Sequence, residues 1–177
     1  DAMELVSKTK IDDMPDKVIN ADFINYGNRF YFIYQYQKRS IVYCNVREFD
    51  ANANPKTGTQ ELDTTKINFA ANNRIYNVIV SEDKKKIGIA KINSQNEKRY
   101  VLTTLVFDDS LTQLNKFRTT IDMPDRNDAL SEFAIDNDGD ISCIRGSESN
   151  NSINKLYLKI KPLTADTIAT YSMIDVS

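Results

Sequence analysis

Ile121-Asp122-Met123-Pro124-Asp125, followed by Ser131-Glu132-Phe133-Ala134, repeats a passage found near the start of the chain. There Ile11-Asp12-Asp13-Met14-Pro15-Asp16 precedes Ala21-Asp22-Phe23-Ile24, and the step from proline to phenylalanine is 8 residues, against 9 in the later copy. Pro15 and Pro124 stand 109 residues apart, too far for one supersecondary unit, so a middle copy is expected near half that distance. Asn73-Arg74-Ile75-Tyr76-Asn77-Val78 supplies it in weaker form, with Tyr76 as the counterpart of Phe23 and Phe133. A phenylalanine-aspartate pair closing a long alternating run gives a second register. Phe49-Asp50 and Phe107-Asp108 lie 58 residues apart, and in the third unit Leu158-Lys159-Ile160-Lys161-Pro162 takes the place with the pair lost. The registers agree on a repeat of roughly 53–58 residues.

Within each unit the apolar period is 2, not 3.6. Arg29-Phe30-Tyr31-Phe32-Ile33-Tyr34-Gln35-Tyr36, Ile41-Val42-Tyr43-Cys44-Asn45-Val46-Arg47 and Tyr100-Val101-Leu102-Thr103-Thr104-Leu105-Val106-Phe107 are β-branched and aromatic. Lys155-Leu156-Tyr157-Leu158-Lys159-Ile160-Lys161 alternates charge with apolar side chains, as a half-buried antiparallel strand does. Turn-forming residues separate the runs at Asn25-Tyr26-Gly27-Asn28, Gln37-Lys38-Arg39-Ser40, Ser81-Glu82-Asp83-Lys84 and Asp136-Asn137-Asp138-Gly139-Asp140. The pattern predicts an all-β chain of three units, about 17–66, 67–123 and 124–174, each of about four antiparallel strands. Residues 4–11 align with the last strand of a unit and are expected to be the outer strand of a preceding one. Four strands in about 50 residues is the pattern of a β-propeller blade.

Val80-Ser81-Glu82-Asp83-Lys84-Lys85-Lys86-Ile87, Val106-Phe107-Asp108-Asp109-Ser110-Leu111 and Ile135-Asp136-Asn137-Asp138-Gly139-Asp140-Ile141 resemble blades of six- to eight-bladed propellers from bacterial cell-envelope proteins. The resemblance implies a propeller-like repeat of three four-stranded blades, part of a larger ring. It also implies a periplasmic, outer-membrane-associated or secreted location. The function expected from it is a non-catalytic binding or scaffolding module that presents its surface to a protein or glycan. No tryptophan-aspartate signature and no sialidase-type aspartate box accompanies these motifs. Because propellers close with four to eight blades, three units are expected to leave terminal faces, near 22–65 and 131–174, as open apolar surface. Further blades of the parent chain or a second copy are the expected cover.

Composition narrows the chemistry. Of 177 residues 41% are hydrophobic and 27% charged, which suits a folded water-soluble domain. The net charge of −2 and pI near 5.3 argue against a nucleic-acid partner. No apolar stretch approaches the length of a spanning helix, so no membrane insertion is expected. With no histidine, neither a Ser-His-Asp triad nor an imidazole metal site can form, and Cys44 and Cys143 are too few for a four-thiolate zinc centre. Both cysteines sit in alternating apolar runs and are expected to be buried thiols, a disulfide remaining open.

Asp136, Asp138 and Asp140 are the metal candidates, since clustered carboxylates around a glycine suit calcium. An EF-hand counted from Asp136 would need glycine and glutamate where Ile141 and Ser147 stand, so a tight hairpin turn is the favoured reading. Lys84-Lys85-Lys86 is expected at a solvated hairpin tip. Phe30, Phe32, Tyr34 and Tyr36 share one strand face and Tyr31 and Ile33 the other, a core arrangement that would otherwise serve sugar stacking. No nucleophile motif, phosphate loop or cofactor fingerprint is present, so no catalytic residue and no cofactor is assigned. The alternative function is a propeller glycosidase or lyase, which needs two carboxylates roughly 5–10 Å apart in a cleft.

Overall fold

The computed structural model describes residues 8, 10–12, 14–96, 98–124, 127–149 and 152–175. Among them there is no helix, and twelve strands form three four-stranded antiparallel sheets. Sheet 1 holds β1 (Asn20–Asn25), β2 (Arg29–Lys38), β3 (Ile41–Asp50) and β4 (Gln60–Lys66). Sheet 2 holds β5 (Tyr76–Val80), β6 (Lys86–Asn96), β7 (Arg99–Asp108) and β8 (Gln113–Asp122), and sheet 3 holds β9 (Asp128–Ile135), β10 (Ile141–Ser149), β11 (Ser152–Lys161) and β12 (Ala169–Asp175). In each sheet the strands lie in chain order, every neighbour joined by a hairpin. The expected outer strand over 4–11 falls largely outside the described residues.

The chain divides into two compact units, residues 1–75 with sheet 1 and 76–177 with sheets 2 and 3. In sheet 1, cross-strand register puts Phe30 opposite Phe49, Phe32 opposite Arg47 and Phe23, Tyr34 opposite Asn45, and Tyr36 opposite Tyr43. These rings form a continuous row: Phe32 and Tyr34 stack at 5.3 Å, Tyr34 and Tyr36 at 6.1 Å, Tyr36 and Tyr43 at 5.0 Å. Ile11, Met14 and Val18 pack onto that row, so the segment before β1 straps the face and buries Phe32, Tyr34 and Phe49. Open apolar surface was expected on this sheet. Its own leading segment covers the centre instead, leaving Phe23 at the margin 67% exposed. The opposite face, with Tyr31, Ile33, Val42, Cys44 and Val46, is buried as well. Gln35 and Gln37 pin the stretch after β4: Gln35 Oε1 accepts the Ile75 N–H at 3.0 Å, and Gln37 Oε1 accepts the Ala71 N–H at 2.8 Å.

In the second unit, sheets 2 and 3 pack face to face. Ala90, Leu102, Ile121 and Met123 form one core cluster with Leu130 and Phe133 against it, and Val106, Ile135 and Ile141 form another with Ile79 and Leu163. Met123, from the repeated Met-Pro passage, is thus a buried wedge where the chain passes from β8 to β9. Gly88 permits the close approach, because a Cβ there would stand 2.7 Å from Ile79 Cγ1 and 3.2 Å from Ile135 Cδ1. Asn115 Nδ2 donates to the Leu163 carbonyl at 3.0 Å, and Asn137 Oδ1 accepts the Asp83 N–H at 3.0 Å, tying turn to turn.

The registers explain two sequence features. Ser131 pairs with Ile144 and Ala134 with Ser142, leaving Glu132 and Phe133 both opposite Cys143. That is a β-bulge, with Glu132 at φ 52, and it keeps Leu130 and Ile135 on one face although they are five residues apart. The bulge is the additional residue that makes the later proline-to-phenylalanine step 9 rather than 8. The middle register differs from expectation. Val78, opposite Ile89, holds the place that Phe23 holds opposite Phe32, and Tyr76 lies two residues earlier on the same face, so the aromatic match was offset by one pleat.

Candidate binding surface

Of the three candidate metal ligands, Asp136 builds the turn itself and Asp140 ties it to Leu163. Asp136 Oδ1 accepts backbone N–H bonds from Asp138 at 3.0 Å and from Gly139 and Asp140 at 2.9 Å each. Asp140 Oδ1 accepts the Leu163 N–H at 2.8 Å, and Gly139 takes φ 95. The phenylalanine-aspartate mark has the same origin. Asp50 Oδ1 accepts from Asn52 and Asn54 at 2.9 and 2.8 Å, and Asp108 Oδ1 from Ser110 and Thr112 at 2.9 and 2.8 Å. In each turn the third residue after the aspartate is left-handed: Ala53 at φ 63, Leu111 at φ 65 and Gly139 at φ 95. The phenylalanine belongs to the core and the aspartate builds the turn, which is why the two recur together. In the third unit Lys161 replaces Phe: its ammonium lies 4.7 Å from the Phe117 ring and bonds the Pro162 carbonyl.

Lys84-Lys85-Lys86 is a hairpin end as expected, with Lys84 at φ 59 and the Lys85 N–H on Asp83 Oδ1 at 2.9 Å. Cys44 and Cys143 are buried and not joined in a disulfide, and burial pushes the Cys143 thiol up to about 11. The Asp22 carboxyl is raised by burial, partly offset by the charge of Arg74 and a hydrogen bond from Asn20 at 2.7 Å. The buried ion pair of Asp128 and Arg145 was not legible in the sequence. Arg145 Nη2 meets Asp128 Oδ2 at 2.7 Å and the guanidinium lies 5.1 Å from the Tyr157 ring. Its only sequence signal is an arginine on the alternating core face of β10.

The surface that stands out is the second face of sheet 3. Register places Ser142 opposite Ile160, Ile144 opposite Leu158 and Gly146 opposite Leu156, and it continues to Tyr171 opposite Leu158 and Ile174 opposite Leu156. The two core clusters of this unit draw on the other face, through Ile135, Ile141, Leu130 and Phe133. Ile144, Leu156, Leu158 and Ile160 are therefore only half-buried, while Tyr171 and Ile174 are 55% and 41% exposed. The corresponding face of sheet 2, with Gly88, Ala90, Leu102 and Val106, is the one that sheet 3 covers. Compared with known proteins, the chain matches no family model and no curated protein.

Proposed function

We propose that this chain is a non-catalytic binding or scaffolding module built from β-propeller blades, part of a bacterial envelope protein that holds a protein or glycan partner. Sheets of four strands in chain order, repeating every 53–58 residues and stacking face to face in the second unit, support the blade reading. The observation that carries the proposal is the half-bare aliphatic face of sheet 3. A surface of this kind on a folded domain marks a contact, and the repeat favours another sheet of the same type as its cover. Further blades of a longer chain or a second copy would supply that sheet. An envelope location rests on the resemblance of the turn motifs alone.

Sedimentation velocity on the chain and on Leu158→Asp tests this reading. Concentration-dependent association of the chain, lost in the variant, is the expected result. A strict monomer, unchanged by Leu158→Asp, would remove its basis. The glycosidase alternative is tested on a panel of chromogenic glycosides, where turnover would replace the binding reading.

A further inference from the structure

The last strand of each sheet forms one of its edges, and β12 differs there from β4 and β8. β4 carries Glu61, Asp63 and Lys66, and β8 carries Lys116, Arg118 and Asp122. Charges spread along an edge keep it from pairing with another chain. β12 reads Ala-Thr-Tyr-Ser-Met-Ile-Asp, with its one charge on the final residue. Six of its seven residues are exposed, among them Tyr171 at 55%, Met173 at 57% and Ile174 at 41%. We propose that β12 is a self-association edge, pairing antiparallel with β12 of a second copy so that two four-stranded sheets become one of eight strands.

The face pattern of the strand selects a second copy as the partner. Tyr171 stands opposite Leu158 and Ile174 opposite Leu156, so both belong to the half-bare face. Thr170 stands opposite Lys159 and Asp175 opposite Lys155, on the other face. Between them a β-bulge sets Ser172 and Met173 together opposite Tyr157. From Thr170 to Asp175 the succession of faces is therefore the same in either direction. An antiparallel pair puts directly opposite residues on one face. A two-fold axis between Ser172 and Met173 satisfies that at every position. Tyr171 then meets the second copy's Ile174, Ser172 its Met173, and Thr170 its Asp175. A slip of one residue sets Tyr171 against Met173 or Asp175 and crosses the faces. Charge agrees with this register. Lys159 Nζ donates to Thr170 Oγ1 at 3.0 Å, which holds an ammonium beside the place where the second copy's Asp175 arrives, once on each side of the axis.

The pairing uses the edge of sheet 3, not its bare face, and does not rest on the binding-module reading. Six paired residues make a weak dimer, with a Kd of about 0.1–1 mM. It is therefore trapped covalently, and sedimentation at micromolar concentration reads the bare face alone. Tyr171→Cys and Ile174→Cys, both at exposed positions, are prepared as separate proteins and oxidised mildly, alone and mixed. In a mixed pair the two new thiols are directly opposite, with Cα atoms about 5 Å apart, inside the reach of a disulfide. Two copies of one variant hold theirs about 10 Å apart along the strands, outside it. Cys44 and Cys143 are buried. A disulfide-linked dimer is expected in the mixture, while either variant alone stays near the background of the unchanged chain. Met173→Lys, added to both proteins, brings two ammonium groups together at the axis and should cut the linked yield about tenfold. No linked dimer in the mixture overturns the proposal. Equal linking of either variant alone overturns it too, because the register would then play no part. A yield unchanged by Met173→Lys would likewise overturn it.

Discussion

Sheets 1 and 3 share strand order yet are finished differently. On the face carrying Phe30, Phe32, Tyr34 and Phe49, sheet 1 is aromatic, and a strap from its own leading segment lies across it. At the equivalent positions sheet 3 has Ile141, Cys143, Arg145 and Lys161, and it is packed against sheet 2, with its cations held by Asp128, Tyr157 and Phe117. The reverse faces differ again. Tyr31, Ile33 and Val46 of sheet 1 are fully buried, whereas Ile144, Leu158 and Ile160 of sheet 3 are half-bare. One repeat pattern thus yields a sheet strapped by its own leading segment and a sheet with one face half-bare.

The largest effect should come from the strapped core. Phe49→Ala, at a residue 1% exposed, is expected to cost about 3–5 kcal/mol in urea unfolding. A loss below about 1 kcal/mol would mean that the strap and aromatic row do not hold sheet 1 together. Asp128→Asn leaves Arg145 charged and unmatched in a buried setting, so about 3 kcal/mol should be lost. Leu158→Ala on the bare face should cost about 1 kcal/mol or less, because the side chain already meets solvent. If it costs as much as Phe49→Ala, the faces are not different in kind.

A smaller effect is expected from acid. The Asp50 carboxyl is held below the usual carboxylate range, first by the Asn54 side-chain amide and then by the Asn54 backbone N–H. A depressed folded value gives stability that is present above the unfolded value, near 3.9, and lost as pH falls through the folded one. The difference between the chain and Asp50→Ala should therefore shrink below about pH 4; a difference constant with pH would detach the turn from its carboxylate. Calcium should do least. With Asp136 Oδ1 already accepting three N–H bonds, millimolar calcium against EDTA is expected to leave the melting temperature unmoved. A rise of several degrees would show that the sheet 3 turn is rebuilt around an ion.

Strands and their grouping were legible because a period of 2 and the turn residues between runs are local properties. The Phe-Asp mark was legible for a physical reason, a core ring followed by a turn-building carboxylate. The strap was not. Ile11, Met14 and Val18 show no strand period, and their cover of Tyr34 is a non-local fact. Nor could the sequence separate Tyr76 from Val78 as the register partner, since both lie on one face. The bond from Arg47 to the Asp12 carbonyl was also hidden, because it joins the leading segment to β3 across the fold. The bulge at Glu132 left one trace, a single extra residue in a repeat.

The aspartate turns carry a consequence for how such a chain can change over time. In each, one carboxylate and one left-handed residue hold the geometry, and the residue types between them differ: Ala-Asn, Asp-Ser and Asn-Asp occupy the two positions after Asp50, Asp108 and Asp136, Asn137 also accepting the Asp83 N–H. Substitutions can accumulate at these tips at little cost while the anchors keep the hairpin closed. Two descendants could then retain every strand and turn and share few letters outside the anchors, so kinship in a chain of this kind would outlast its visibility in sequence.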